Sequence, residues 1–147
     1  GEGVFYGKCA ELCGPSHALM DFKVKSLERK DFDAWIAAMQ ATEGQTADKE
    51  SSDVGEATFA NSCLSCHAIS GVGVSGALGP NLTTFGDRNR VAGFMDHTEE
   101  AVVKWIMDGM KPESKLKPGN LMTGKYNVSE AEAEAIAKYL MSLSVED

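Results

Sequence analysis

The sequence predicts a mainly α-helical protein of two unequal units. Three observations carry this. Residues that favour helices, with apolar positions at helical spacing, fill stretches near 28–40, 54–62, 99–110 and 129–143. Strand-like alternation is confined to Asp21-Phe22-Lys23-Val24-Lys25. Residues 41–52 carry no aromatic side chain and only alanine as apolar content, which is linker composition. The chain has 147 residues, so one domain plus a piece of another is the expected size. The boundaries follow: a first unit over 1–45, a linker over 46–52 and a second unit over 53–147.

Residues 1–25 are rich in Gly, Cys and turn formers and end in the alternating stretch. Residues 28–40 follow as a helix with Phe32, Trp35, Ile36 and Met39 on one face. The second unit opens with Asp53 as a helix cap, Glu56 in the reciprocal position and a helix from Val54 to about Ser62. A loop rich in Gly, Ser and Asn covers 70–93. Thr98 caps a helix running from Glu99 to about Met110, and Lys111-Pro112 ends it. A loop reaches Asn127. Ser129 and Glu132 then form a capping box for a last helix with Ala133, Ile136, Ala137, Leu140 and Leu143 on its apolar side. The second unit carries no convincing strand.

A net charge of -8 argues against nucleic-acid binding, which draws on clustered Lys and Arg. It suits solubility and a basic docking partner. No apolar run approaches the roughly 18 residues of a membrane span. The chain opens Gly-Glu-Gly-Val-Phe-Tyr, without a basic start or an apolar stretch. No pair of groups reads as an acid–base couple or a nucleophile, so no catalytic residue is expected.

The chemistry lies in four cysteines in two close pairs. Cys63-Leu64-Ser65-Cys66-His67 is Cys-x-x-Cys-His. Two thiols at this spacing reach the two vinyl groups of one haem, and the adjacent His falls under the iron. Zinc would need a second ligand pair at suitable spacing, and a dithiol oxidoreductase would need a strand–helix setting. Neither is present in the pattern. Cys9-Ala10-Glu11-Leu12-Cys13-Gly14-Pro15-Ser16-His17-Ala18-Leu19-Met20 places two thiolates, an imidazole and a thioether in one loop. Such soft and borderline ligands select copper, and zinc rarely recruits the thioether. A Cys9–Cys13 disulfide is the alternative, which leaves the His and Met spacing without a role.

Over nearly its whole length the second unit resembles a class I cytochrome c. Gly55, Phe59 and Cys63 have the spacing of that family's first helix, Tyr139 and Leu140 fall where the last helix meets it, and Gly79-Pro80-Asn81-Leu82 is similar to the loop after the haem motif. The resemblance implies that Cys63 and Cys66 form thioethers and that His67 is an axial ligand, held by a hydrogen bond to the Pro80 carbonyl. It implies Met122, after Lys117-Pro118-Gly119-Asn120-Leu121, as the other ligand among seven methionines. Trp105 would line the crevice, and Arg88 or Arg90 would pair with a haem propionate.

The N-terminal loop, with Phe5-Tyr6-Gly7-Lys8 before it, resembles the copper A loop of cytochrome c oxidase subunit two. The resemblance implies a binuclear copper held by Cys9, Cys13, His17, Met20 and the Glu11 backbone carbonyl, on the last loop, strand and helix of a cupredoxin-like domain. It departs from the family in one respect. A second His is needed upstream of the loop, and His17, His67 and His97 are the chain's three. The expectation is therefore a C-terminal fragment with an incomplete copper site, membrane helices lying upstream in the parent.

Copper A followed by cytochrome c is the arrangement of caa-type haem-copper oxidases. It implies single-electron transfer from a cytochrome c or quinol-oxidising complex, through this haem, to copper A and oxidase subunit I. It also implies a complex at the outer face of a bacterial cell membrane. A copper-A-type nitric oxide reductase and a free shuttle cytochrome are the alternatives. A redox sensor fits less well, because it would leave the sixth iron site open.

Overall fold

A computed structural model describes residues 1–146. Asp147, the last residue of the expected second unit, lies outside the described residues. Strands β1 (Gly3–Lys8) and β2 (Asp21–Ser26) pair antiparallel, Gly3 opposite Ser26 and Lys8 opposite Asp21. The cysteine loop closes this hairpin, and Cys9 N–H donates to Met20 O at 3.0 Å. Strand β1 is absent from the sequence reading. Val4-Phe5-Tyr6 favours a strand, but Gly3 and Gly7 on either side break the pattern, and pairing with β2 decides the matter.

Helix α1 spans Arg29–Ala41. Of its expected inward face only Met39 is buried, while Phe32 stays 44% exposed. The helical spacing was right, but the described chain places little against that face.

The second unit is built on α2 (Val54–Ser62), α3 (Glu99–Gly109) and α4 (Glu130–Met141). Each begins at its expected cap. Asp53 Oδ1 accepts from Glu56 N–H at 2.8 Å, Thr98 Oγ1 accepts from Ala101 N–H at 3.1 Å, and Ser129 with Glu132 forms both arms of a capping box. At α2 the reciprocal arm is diverted, since Glu56 Oε1 accepts from Asp48 N–H at 3.2 Å instead. Helix α4 packs on α2 and α3 around a core that includes Phe59, Val102, Ile106, Ala133, Ile136 and Leu140. Gly55 makes the α2–α4 crossing possible: a Cβ there would stand 2.1 Å from Ala135 O.

Two further features correct the expected layout. A short strand pair, β3 (Arg90–Val91) with β4 (Met95–Asp96), turns through Ala92 and Gly93, both at positive φ. Two-residue strands are too short to show alternation in sequence. Residues 46–52 are also not free chain: Ala47 is 4% exposed within the core of the second unit. The preceding Thr42 and Glu43 lie close to Gly71. No described helix is long and apolar enough to cross a membrane.

Candidate functional site: a haem crevice and a copper loop

Cys63 terminates α2, where its N–H donates to Phe59 O at 2.8 Å. The next turn is tight: His67 N–H donates to Cys63 O at 2.9 Å. It brings Cys63, Cys66 and His67 to one wall of a cavity of about 930 Å³. Pro80, Trp105 and Met122 line the same cavity. Every sequence-expected haem contact therefore meets in one place. Burial, followed by the charge of Cys66, pushes the Cys63 thiol up to about 11.

His67 Nδ1 lies 2.9 Å from Pro80 O. A carbonyl only accepts, so Nδ1 carries the proton and Nε2 keeps its lone pair for a metal. The loop holding Pro80 is fixed from within. Asn81 Nδ2 donates to Gly71 O and Val74 O at 2.8 and 2.7 Å, and buried Thr83 Oγ1 accepts from Ser70 N–H at 2.9 Å. Gly79 lets the ring approach, because a Cβ there would come within 2.5 Å of His67 Cε1. The Gly/Ser/Asn composition correctly reads as loop, but the rigidity of that loop comes from these contacts.

Of the seven methionines, Met122 and Met110 line the same cavity. Met110 caps the end of α3. Met122 sits on a loop anchored to that same end: Asn120 Nδ2 donates to Gly109 O and its Oδ1 accepts from Met122 N–H, both at 2.8 Å. Asn120 is a positioning residue that sequence reasoning did not single out; its place two before Met122 was the available signal. Trp105 is set edge-on to Phe94 with ring centroids 6.2 Å apart.

The rim is basic although the chain is acidic overall. Lys8, Lys23, Arg88, Arg90, Lys117 and Lys125 line the cavity, against the single acid Asp21. Burial lowers the pKa of Arg88, whose guanidinium donates to Asn81 O and lies 5.6 Å from the Phe85 ring centroid. Arg90 pairs with Asp96. A large cavity of mainly apolar walls and a cationic rim fits a flat macrocycle with two carboxylates, and two thiols and an oriented imidazole fit its attachment.

The second cluster lies in the β1–β2 loop. Cys9 and Cys13 are free thiols with Sγ atoms 3.4 Å apart, well beyond a disulfide's bond length of about 2.05 Å. Cys13 Sγ lies 3.6 Å from His17 Nδ1 and 3.5 Å from Met20 Sδ, and Cys9 Sγ lies 3.0 Å from Glu11 O. The hydrogen bond with Cys9, followed by burial, raises the Cys13 pKa. Two sulfurs flanked by an imidazole, a thioether and a carbonyl fit copper by donor chemistry. His67 and His97 are committed elsewhere, His97 Nε2 lying 2.9 Å from Phe85 O, so this chain brings one His to the cluster.

Comparison with known proteins agrees with both halves. Residues 52–144 match the family described as cytochrome c, and residues 1–27 match the periplasmic domain of cytochrome c oxidase subunit II. The chain is 51% identical to cytochrome c oxidase subunit 2 of Bacillus sp. (strain PS3), over 98% of this chain and 40% of that protein. The subunit 2 proteins of Alkalihalophilus pseudofirmus and Bacillus subtilis are 46% and 45% identical, each over 97% of this chain and 40% of its own length. The chain thus spans about 40% of the length of these relatives. Over residues 52–144 the chain belongs to the cytochrome c family, a family with covalently bound haem, and it carries ahead of that domain a segment of the subunit II periplasmic domain.

Proposed function

We propose that the chain is the electron-entry arm of a caa-type cytochrome c oxidase, taking single electrons on haem c and passing them to copper A. Cys63 and Cys66 anchor the haem, His67 and Met122 ligate its iron, and Pro80 and Trp105 fix the ligand ring and line the crevice. Cys9, Cys13, His17, Met20 and the Glu11 carbonyl hold copper, with a further His supplied from an earlier strand upstream of the loop. Residues 1–45 are the copper unit, 46–52 the junction and 53–147 the haem unit. The observation that carries the reading is the presence, in one chain, of an imidazole-bearing crevice and a separate soft-ligand cluster.

Bound haem and copper supply one-electron couples. The protein's own part is positional. The Pro80 carbonyl fixes the His67 tautomer, the apolar walls exclude water, and the loop from Asn120 to Met122 presents a thioether without freedom to wander. Joining donor and acceptor in one polypeptide replaces diffusion by a high effective concentration. The partners in this reading are oxidase subunit I and a cytochrome c or quinol-oxidising complex, at the outer face of a bacterial cell membrane. The relatives named as oxidase subunit 2 favour oxygen over nitric oxide as the final acceptor.

Absorption spectroscopy of the haem-loaded protein, with metal analysis, tests this. A haem that resists acid extraction, with the weak far-red band of an oxidised His/Met iron, is the expected result. Met122→Ala should abolish that band and lower the potential, while Met110→Ala should leave it in place. Loss of the band in Met110→Ala alone would reassign the ligand. Haem that extracts freely would end the relay reading.

A further inference from the structure

We infer that the copper loop docks on the loop that carries Met122, through Ser16 and Pro15, and that Ser16 is a positioning residue for electron transfer. The inference rests on the relay reading above. Ser16 Oγ donates to Pro118 O at 2.6 Å across 102 residues of sequence. Beside it the Pro15 ring packs against Gly119, where a Cβ would stand 3.5 Å from Pro15 Cγ and Cδ. Another turn closes the notch from the far side. A Cβ on Gly93 would lie 3.7 Å from Leu19 O, and Lys117 Nζ donates to Ala92 O at 2.6 Å, tying the two turns of the haem unit together.

These turns form part of the haem crevice wall: Ala92, Gly93, Lys117 and Asn120 all line it. The contact is flanked by ligand positions on both sides. His17 follows Ser16 directly, and Asn120, two residues beyond Pro118, accepts from Met122 N–H. One hydrogen bond therefore joins the backbone bearing a copper ligand to the backbone bearing an iron ligand. At the other end of the hairpin, Lys25 pairs with Glu146 at 2.8 Å, which restrains rotation about the Ser16 contact. Both charges are substantially exposed, so this pair restrains weakly. Electron tunnelling falls steeply with distance, so a contact that holds these two loops together acts on the rate without touching either metal's chemistry.

The test uses two measurements. In the haem-loaded chain, backbone amide NMR shifts are compared between oxidised and reduced haem, whose ferric form is paramagnetic. Redox-dependent shifts at Ser16 and His17 are expected. Ser16→Ala should shrink them with the haem spectrum unchanged, and Ser16→Thr should retain them. In the oxidase loaded with haem and copper, Ser16→Ala should slow haem-to-copper transfer by up to about fivefold, the most that losing one ordinary hydrogen bond takes from the docked population. Both potentials should stay in place, and Ser16→Thr should restore the rate. An absence of redox-dependent shifts at residues 15–17 in the unsubstituted chain overturns the dock, as does an unchanged rate in Ser16→Ala. Redox-dependent shifts with no haem-to-copper transfer in the unsubstituted oxidase would support the dock and overturn the relay reading.

Discussion

Gly55 shows how one missing side chain sets the architecture around the crevice. Alanine is the better helix former by about 1 kcal/mol, so propensity alone favours Gly55→Ala. Sterics oppose it, because the new Cβ would sit 2.1 Å from a backbone oxygen and 2.9 Å from Tyr139 Cβ. Backbone cannot rotate away as a side chain can, and overpacking costs about 1–3 kcal/mol. The clash therefore wins. Denaturant unfolding of haem-loaded Gly55→Ala should show a net loss of up to about 2 kcal/mol. The spacing of Gly55, Phe59 and Cys63 suggested this crossing, and the backbone approach of α4 gives it a cause. At Asn120 the sequence was less informative. An Asn in a Pro/Gly loop reads as a turn residue, and only the nearness of Gly109 O and Met122 N–H makes it an anchor.

Among the elements, α3 carries the clearest electrostatic signature. Hydrogen bonds from Lys104 and Lys111 hold the Asp108 carboxyl down to about 2. A depressed acid contributes stability that is complete above its ordinary pKa of 3.8 and is lost as pH falls toward 2. A carboxyl-carbon NMR titration should give Asp108 a midpoint near 2, and Lys104→Met with Lys111→Met should return it toward 3.8. The Asp108 side chain is partly exposed, so salt should weaken the effect. Helix starts were legible for a local reason: Asp53, Thr98 and Ser129 satisfy N–H groups three residues away, within any reading window. Strands β1, β3 and β4 were not, since a strand is completed by a partner that local sequence does not name.

Across the whole molecule, the junction between the units decides how they are held. Residues 46–52 have the composition of a flexible tether, yet Ala47 is buried in the haem unit and Asp48 N–H bonds to Glu56. Ala47→Asp would bury an unpaired charge, so the segment should leave its seat rather than carry that cost. Limited proteolysis within residues 42–52 should then speed up roughly tenfold, with little change in the haem spectrum, because local opening governs such cleavage. An unchanged cleavage rate would show that Ala47 does not hold the segment. Composition misread this stretch because one small apolar residue suffices as an anchor when the surface beneath it is shaped to receive it.

By itself the sequence determined the chemistry: the Cys63-x-x-Cys66-His67 string, the Cys9-to-Met20 loop and the capped helices. These rest on covalent spacing and on contacts within a turn or two, which the chain carries wherever it folds. The tertiary structure decided the rest. It brought Met122 and His67 to one cavity, fixed the proton of His67 through Pro80, gathered a basic rim on an acidic chain, and set Ser16 against Pro118. Each of these joins residues far apart in sequence, where loop closure and packing, rather than local pattern, choose the partners.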